Sequence, residues 1–181
     1  MKHINNFILI NIVTLMISGV FAQSSQQLFS VNALDVSRYM GRWYEIAKYP
    51  NWFQKKCASN TMANYSLLLN GQVKVSNQCR LVDGEVDTAV GIARQIGERT
   101  SAKLKVSFTP EWLSVLPFVW GDYWVIDLDP EYSLVAVSEP SREYLWILSR
   151  NPEVDQKRYA DLLIRLQSMN FDVSKLEVTR H

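Results

Sequence analysis

Histidine is scarce in this 181-residue chain, which has only His3 and His181, one near each end. Catalytic Ser-His and Cys-His pairs need an imidazole inside the folded part of a protein, and so do clusters of imidazole metal ligands. A Gly-rich phosphate-binding loop is also missing. These absences exclude the common histidine-dependent hydrolases, and we expect the protein to need no metal and no other cofactor.

An excess of charge of either sign is missing as well. Nineteen Lys and Arg residues stand against 18 Asp and Glu residues, which gives a formal net charge of +1. The chain therefore offers no electrostatic reason to propose nucleic acid or an anionic membrane as a partner. Its length fits one domain preceded by a leader.

The apolar run at residues 7–20 is too short to be a good membrane span, because a span needs roughly 20 residues and polar side chains interrupt this one. It follows the positive charge of Lys2 and ends at Val20-Phe21-Ala22, a pattern that signal peptidase accepts. We therefore expect residues 1–22 to be a cleaved signal peptide. The alternative is a retained single-span anchor.

Position 23 is Gln, whereas a bacterial lipoprotein carries Cys directly after its cleavage site. We therefore expect an exported protein, periplasmic or secreted, that is soluble and has no lipid anchor. Residues 23–32 are polar and are predicted to be a flexible N-terminal segment. Residues 33–181 are predicted to form the domain.

The chain has only two cysteines, Cys57 and Cys79, and both fall in the exported part. An oxidising compartment favours a disulfide between them, and two free buried thiols are the alternative. The pair flanks a predicted hairpin whose turn is Asn70-Gly71. Antiparallel counting about this turn places Cys79 opposite approximately Met62, so the bond requires a bulge or a curled strand end.

Eight short β-rich runs repeat at the spacing typical of an all-β barrel. They are predicted at residues 43–48, 59–68, 72–78, 87–94, 102–108, 122–128, 134–138 and 144–149. From residue 155 to 169 the period becomes helical, with Leu162, Leu163, Leu166 and Met169 on one face. This helix should pack outside the barrel. A helical turn at 35–40 and a short strand at 176–179 complete the prediction.

Three motifs occur in order along the chain: Gly41-Arg42-Trp43, then Asp129-Pro130-Glu131-Tyr132, then Arg150 at the end of the last long strand. They resemble the signature of the lipocalin family, in particular its bacterial lipocalin and apolipoprotein D branch. The resemblance covers roughly residues 33–180. It implies an all-β fold, an eight-stranded antiparallel up-and-down barrel with a C-terminal α-helix packed outside. The signature residues are Gly41, Trp43, Asp129, Tyr132 and Arg150.

The two ends of such a barrel are predicted to differ. The Trp43 ring can stack on the Arg150 guanidinium and close one end, leaving the other end open. Glu45, on the same side as Trp43, is expected to hydrogen-bond near the closed end rather than to act in catalysis.

A barrel of eight strands has room inside for side chains or for one small ligand. Alternation predicts a ligand-binding lumen lined by Tyr65, Leu67, Val75, Asn77, Gly91, Ala93, Leu104, Val106, Phe108, Tyr123, Val125, Tyr144 and Trp146. The small residues Gly91 and Ala93 favour a cavity, because a filled core would use larger side chains there. An ordinary filled core is the alternative.

The connection at residues 111–120 is unusually apolar for a loop, and the topology places it at the open end. Together with the loop after the first strand it supplies a predicted membrane or entry surface of Trp52, Phe53, Trp112, Leu113, Leu116, Phe118 and Trp120. The alternative is that residues 111–120 fold inward as a lid over the cavity.

The apolar lumen and the family resemblance point to a protein that binds and transports or sequesters a small lipophilic ligand, of the fatty acid or lysophospholipid class, at the cell envelope. Tyr65, Asn77, Tyr123 and Tyr144 are candidates to hold its head group. Two alternatives are a lipid-modifying lipocalin enzyme and a protein interaction module that uses the loops. A disulfide would remove the only thiols available to such an enzyme, so we expect no enzymatic activity.

Overall fold

The computed structural model describes residues 27–114 and 116–181, and the predicted signal peptide at residues 1–22 lies outside them. The described residues form one antiparallel sheet. Its strands are β1 (Gly41–Lys48), β2 (Cys57–Leu67), β3 (Val73–Leu81), β4 (Val86–Gln95), β5 (Lys103–Ser107), β6 (Gly121–Leu128), β7 (Leu134–Ser138), β8 (Leu145–Ser149) and β9 (Glu177–Val178). Helix α1 (Val36–Tyr39) precedes β1, and helix α2 (Gln156–Ser168) lies between β8 and β9.

The sheet closes into a barrel because β1 pairs with both β8 and β2. Every other neighbour follows in chain order, which is the up-and-down topology expected from the short connections. The short strand β9 pairs with the end of β1, beyond the residues of β1 that pair with β2. All eight predicted barrel strands and the final short strand are therefore confirmed.

Helix α2 packs on the outside of the barrel, as its period predicts. Leu162 and Leu166 are fully buried against an outer core that includes Ala136 and Ile147. The Asp155 side chain caps the helix by accepting a hydrogen bond from the Arg158 backbone N–H. Neither helix in the described part of the chain is long and apolar enough to cross a bilayer.

Cys57 and Cys79 form the predicted disulfide, with their Cα atoms 5.5 Å apart. Met62 pairs with Gln78 rather than with Cys79, so the count made from the turn was wrong by one residue. Two irregularities in β2, between residues 57 and 62, supply the bulge that the bond requires.

The segment before the barrel corrects one prediction. Residues 23–32 were expected to be flexible, yet Leu28 is buried in the outer core. The Val31 N–H also donates to the Val125 carbonyl at 2.8 Å. Apolar side chains in this polar stretch therefore hold its described part against the barrel.

The closed end of the barrel is built as the signature motifs predict. The Arg150 guanidinium lies 3.9 Å from the centroid of the Trp43 ring, which is completely buried. The indole Nε1–H donates to the Tyr39 carbonyl at 2.8 Å. Arg150 donates to the backbone carbonyls of Tyr132, Arg42 and Arg38. One arginine therefore joins α1, β1 and the turn between β6 and β7.

The Asp129-to-Tyr132 turn supports the same end. Asp129 accepts hydrogen bonds from the backbone N–H groups of Ser133 and Leu134. Burial alone would raise the pKa of Asp129, but these bonds and the nearby Arg158 lower it below its usual value. The Tyr132 ring lies under the Arg38 guanidinium, 4.0 Å from it. The turn thus fixes the position of Tyr132 beside the stacked Trp43 and Arg150 side chains, which form the plug of this end.

Replacing Arg150 with Ala should destabilise the protein, because it removes a stacked cation and three hydrogen bonds at once. We expect a loss of about 2 kcal/mol, or roughly 4–8 °C in Tm, measured by thermal unfolding. Arg42→Ala, which truncates an exposed arginine at the same end, is the matched control. An unchanged Tm for Arg150→Ala would contradict the role assigned to the stacked plug.

Candidate functional site: the barrel interior and its mouth

The half of the interior next to the plug is filled with packed side chains. The predicted lumen residues buried in this core are Tyr65, Val75, Ala93, Leu104 and Val125, and Val106, Tyr123 and Trp146 pack against them. This part matches the filled-core alternative. Space for a ligand must therefore lie nearer the mouth.

The other half of the interior is open. Ala89 pairs with Asn77 across β3 and β4, on the same inner face as the buried Val75, and yet Ala89 is exposed. Phe108, at the mouth end of β5, is 45% exposed. Because β4 pairs with β5 only from Ile92 to Gln95, Ala89 lies beyond the end of β5, and its exposure shows that the barrel is open to solvent at this part of the mouth.

Gly91 corrects the argument that small residues create the cavity. A Cβ atom at this position would clash with the Ser107 carbonyl oxygen and would lie 2.8 Å from the Phe108 ring. The space beside Gly91 is therefore already occupied, and the glycine permits a close approach of β4 to the end of β5. Ala93 is likewise part of the filled core.

Two other predicted site residues lie elsewhere. Leu67 is at the closed end, next to the hairpin turn, and is 52% exposed. Trp120 is buried beneath the Arg94 guanidinium and donates its Nε1–H to the Ser114 carbonyl. Neither residue lines the open part of the interior or its exposed rim.

A cluster of three tyrosines forms the floor of the open half. The Tyr123 hydroxyl lies 2.8 Å from that of Tyr39 and 3.1 Å from that of Tyr65. Burial raises the pKa of Tyr65 to about 12 and raises those of Tyr39 and Tyr123 too, so all three are protonated at neutral pH. Sequence analysis missed Tyr39; its place four residues before Trp43, in the turn that covers the closed end, was the available signal.

Asn77 adds an amide group to this region. Its Oδ1 atom is buried and has no hydrogen-bond partner among the described residues. Such an unsatisfied acceptor is uncommon, because it loses its interaction with water without replacement. The amide is therefore available to a bound molecule.

The loop between β1 and β2 folds over the mouth through Gln54. Its amide nitrogen donates to Glu45 Oε2 at 2.7 Å, and its carbonyl oxygen accepts from Trp146 Nε1 at 3.0 Å. The Phe53 ring lies beside those of Tyr144 and Trp146. Sequence analysis missed Gln54, because a single glutamine in a loop has no recognisable motif. This loop, rather than residues 111–120, is the one that covers the mouth.

Glu45 corrects a further expectation, because its contacts lie on the mouth side and not at the base. It is 3% exposed and accepts hydrogen bonds from Gln54 and from the Thr179 hydroxyl. Burial raises the pKa of this carboxyl, although the two hydrogen bonds and the charges of Lys48 and His181 oppose the shift. Glu45 thus connects the mouth loop to the C-terminal strand.

A cavity of about 500 Å³ opens at the mouth beside this loop. Its lining includes Lys48, Lys55, Glu143, Tyr144 and Trp52. Lys48 is paired with Glu177 at 2.8 Å, while Lys55 has no ion-pair partner among the described residues. The lining also includes Glu177, so its two lysines are balanced by two glutamates, and the cavity offers Lys55 and aromatic surface to a polar group.

Only some of the residues predicted to form an exposed apolar rim are exposed in the structure. Trp52, Trp112 and Phe118 are 73%, 74% and 81% exposed, and Leu113 and Leu116 are half-buried. Because Trp112 points into solvent, it does not cover the cavity as a lid would. The mouth is thus bordered by exposed aromatic side chains.

Replacing Glu45 with Gln should change how stability depends on pH. A carboxyl whose pKa is raised by folding favours the folded state while it is protonated. That contribution is complete below the unfolded value of about 4.3 and is lost as pH rises through the folded value. We therefore expect the free energy of unfolding of Glu45→Gln to rise relative to wild type between pH 4 and pH 7, as measured with urea.

Glu153→Gln makes the same chemical change at an exposed position and is the matched control. A difference between Glu45→Gln and wild type that stays constant over this pH range would contradict the assignment.

The sequence matches the family described as "Lipocalin-like domain" over residues 34–181. Temperature-induced lipocalin-1 of Arabidopsis thaliana is 41% identical over 151 residues, covering 82% of this chain and 80% of that protein. The outer membrane lipoprotein Blc of Escherichia coli K12 is 40% identical over 146 residues, covering 80% and 78%. Apolipoprotein D of Macaca fascicularis is 36% identical over 179 residues, covering 90% of each chain.

Solved structures show the same fold. Insecticyanin from the tobacco hornworm Manduca sexta has a TM-score of 0.64 at 20% identity, covering 85% of this chain and 84% of that one. The cockroach allergen Per a 4 has a TM-score of 0.62 at 19% identity, covering 84% and 91%. With the family match and these relatives, the barrel, its plug and its open mouth establish that the chain belongs to the lipocalin family, whose members bind small hydrophobic ligands.

Proposed function

We propose that this lipocalin binds and carries a small acyl lipid, of the fatty acid or lysophospholipid class, in the open half of its barrel. The observation that carries the proposal is the exposure of Ala89 on the inner face, above a floor that is packed and plugged. An interior that is closed at one end, with Ala89 and Phe108 on its inner face, suits an elongated apolar chain.

The charged end of such a lipid would stay at the mouth. Lys55, which has no ion-pair partner among the described residues, lines the cavity there, and Tyr144 and Trp52 supply aromatic surface beside it. A carboxylate or phosphate placed at this level keeps contact with water and with positive charge. Moving it to the tyrosine floor would cost much more, because that region is buried.

Filling the open half should weaken binding without harming the fold. We expect Ala89→Leu to reduce the affinity for stearate by about tenfold or more, because the new side chain occupies volume that the acyl chain needs. Displacement of a fluorescent fatty-acid analogue measures this affinity. Val90→Leu enlarges the neighbouring side chain, which is on the outer face, and is the matched control. Equal affinity in both variants would refute binding in the open half.

The proposed location is outside the cytosol. The Cys57–Cys79 disulfide supports an oxidising compartment, and the predicted signal peptide agrees with it. The similar Blc proteins are named lipoproteins, whereas this chain has Gln at position 23, where a lipid-bearing Cys would follow the predicted cleavage site. We therefore infer an exported protein without a lipid anchor at the cell envelope or beyond it.

A transient contact with lipid bilayers would load the barrel. Trp112, Phe118 and Trp52 are exposed around the mouth, and an exposed apolar patch marks a contact surface. Tryptophan suits a membrane interface because its ring is apolar and its N–H is polar. No excess of basic charge accompanies the patch, so docking should be weak, reversible and insensitive to salt.

The double variant Trp112→Ser with Phe118→Ser should slow transfer of a fatty acid from phosphatidylcholine vesicles at least about fivefold, because it removes exposed apolar area from the rim. Affinity for the dispersed fatty acid should stay unchanged, since neither side chain reaches the interior. Leu69→Ser is the matched control, because Leu69 is fully exposed in the turn at the opposite end of the barrel. Transfer at the wild-type rate by the double variant would rule out docking through this rim.

An enzymatic role has little support. Both cysteines are joined in the disulfide, so no thiol is available as a nucleophile in the described residues. Glu45, a buried carboxylate, already accepts hydrogen bonds from Gln54 and Thr179. We therefore infer that the protein binds its ligand without transforming it.

A further inference from the structure

The tyrosine floor has one hydrogen-bond donor more than it uses. Three hydroxyl groups, those of Tyr39, Tyr65 and Tyr123, bring three O–H donors, and two hydrogen bonds join them. Within the described residues, no other hydrogen bond to these hydroxyls is formed. One O–H group of the cluster therefore remains free to donate, whichever way the chain of bonds is oriented.

Asn77 supplies the complementary group close by. It is the diagonal neighbour of Tyr65, because Tyr65 pairs with Val75 across β2 and β3. Such neighbours lie within reach of long side chains on the same face. The buried Oδ1 of Asn77 has no partner among the described residues, so a free donor and a free acceptor face the same part of the interior.

The residues that pair with Asn77 on the two neighbouring strands are small, so there is room beside the Asn77 amide and the tyrosine hydroxyls. Asn77 pairs with Ala63 on one side and with Ala89 on the other. Both neighbours carry only a methyl group, and Ala89 is exposed. A ligand descending from the mouth therefore meets the Asn77 amide just before it reaches the tyrosine hydroxyls.

We propose that Asn77 and the tyrosine cluster form a second polar subsite that binds a hydroxyl group on the acyl chain of the ligand. A hydroxyl both donates and accepts, so it can satisfy the Asn77 amide and the unused tyrosine O–H together. The preferred ligands are thus hydroxylated fatty acids and lysolipids. This inference rests on the proposed function, since it assumes an acyl chain in the open half with its charged end at the mouth.

The subsite favours a neutral group over a charged one. Burial is the main cause that raises the pKa of the three tyrosines, so the same surroundings penalise a carboxylate. The charge of Arg150 acts on Tyr39 and Tyr65, but its guanidinium stacks on the Trp43 ring and is held by three backbone carbonyls. A fatty acid therefore gains nothing by entering with its carboxylate first.

The depth of the subsite selects the position of the hydroxyl. Asn77 lies four residues below Leu81, the last residue of β3 at the mouth. This is roughly 13 Å along the strand, or about 10 Å along the axis of a barrel whose strands tilt by about 40°. With the carboxylate at the mouth, the hydroxyl must lie well down the acyl chain and not beside the acid group.

The test compares stearate, 12-hydroxystearate and 2-hydroxystearate on the wild-type protein and on Asn77→Leu. Displacement of a fluorescent fatty-acid analogue gives the three affinities. The wild type should bind 12-hydroxystearate about 5- to 10-fold tighter than stearate, the size expected for a hydrogen bond to a buried unsatisfied group. It should bind 2-hydroxystearate like stearate, because that hydroxyl stays at the mouth.

In Asn77→Leu, the ratio of the affinities for 12-hydroxystearate and stearate should fall to about one, because the acceptor of the hydroxyl is gone. Thermal unfolding verifies that this variant folds. Equal affinity of the wild type for all three acids overturns the subsite but leaves the proposed function standing. Failure of all three acids to bind overturns the proposed function. A preference that persists in Asn77→Leu places the hydroxyl elsewhere and also overturns the subsite.

Discussion

Closure of one end of the barrel by Arg150 and Trp43 is the interaction on which the rest of the structure depends. The guanidinium is bonded to carbonyls of three segments that are far apart in sequence, so it fixes α1, β1 and the turn after β6 relative to one another. Aromatic side chains stack above this plug and fill the base. In the part of the chain that the structure describes, the interior therefore opens towards the mouth alone, and entry and exit share one route.

The mouth is held by interactions of another kind. Gln54 reaches from the β1–β2 loop to Glu45 and Trp146, and Glu45 is bonded in turn to Thr179 after β9. Each of these is a single side-chain hydrogen bond, weaker than the combined stacking and charge-assisted bonds at the base. The loop that covers the cavity is thus attached by bonds that can break individually, as a cover over a binding site requires.

The sequence predicted the architecture well because strand alternation, helical period and the three motifs are local signals. These signals predict the eight strands, the apolar face with which α2 packs on the outside of the barrel, and the Arg150–Trp43 contact. Gly91 shows where such reasoning ends: alternation gives the face on which a residue lies but not its distance from the next strand. Gln54 and Tyr39 were missed because their roles depend on partners brought near by the barrel, and Leu28 because one apolar residue in a polar stretch gives no period.

The position of the disulfide gives the two ends of the barrel different chemical sensitivities. Cys57 lines the cavity at the mouth and joins the start of β2 to β3, whereas no cysteine lies near the plug. A reductant would therefore act on the rim around the ligand and leave the base intact, while a denaturant acts on both. The redox state of the surroundings therefore acts on the mouth before the base, and loss of the cross-link also lowers global stability.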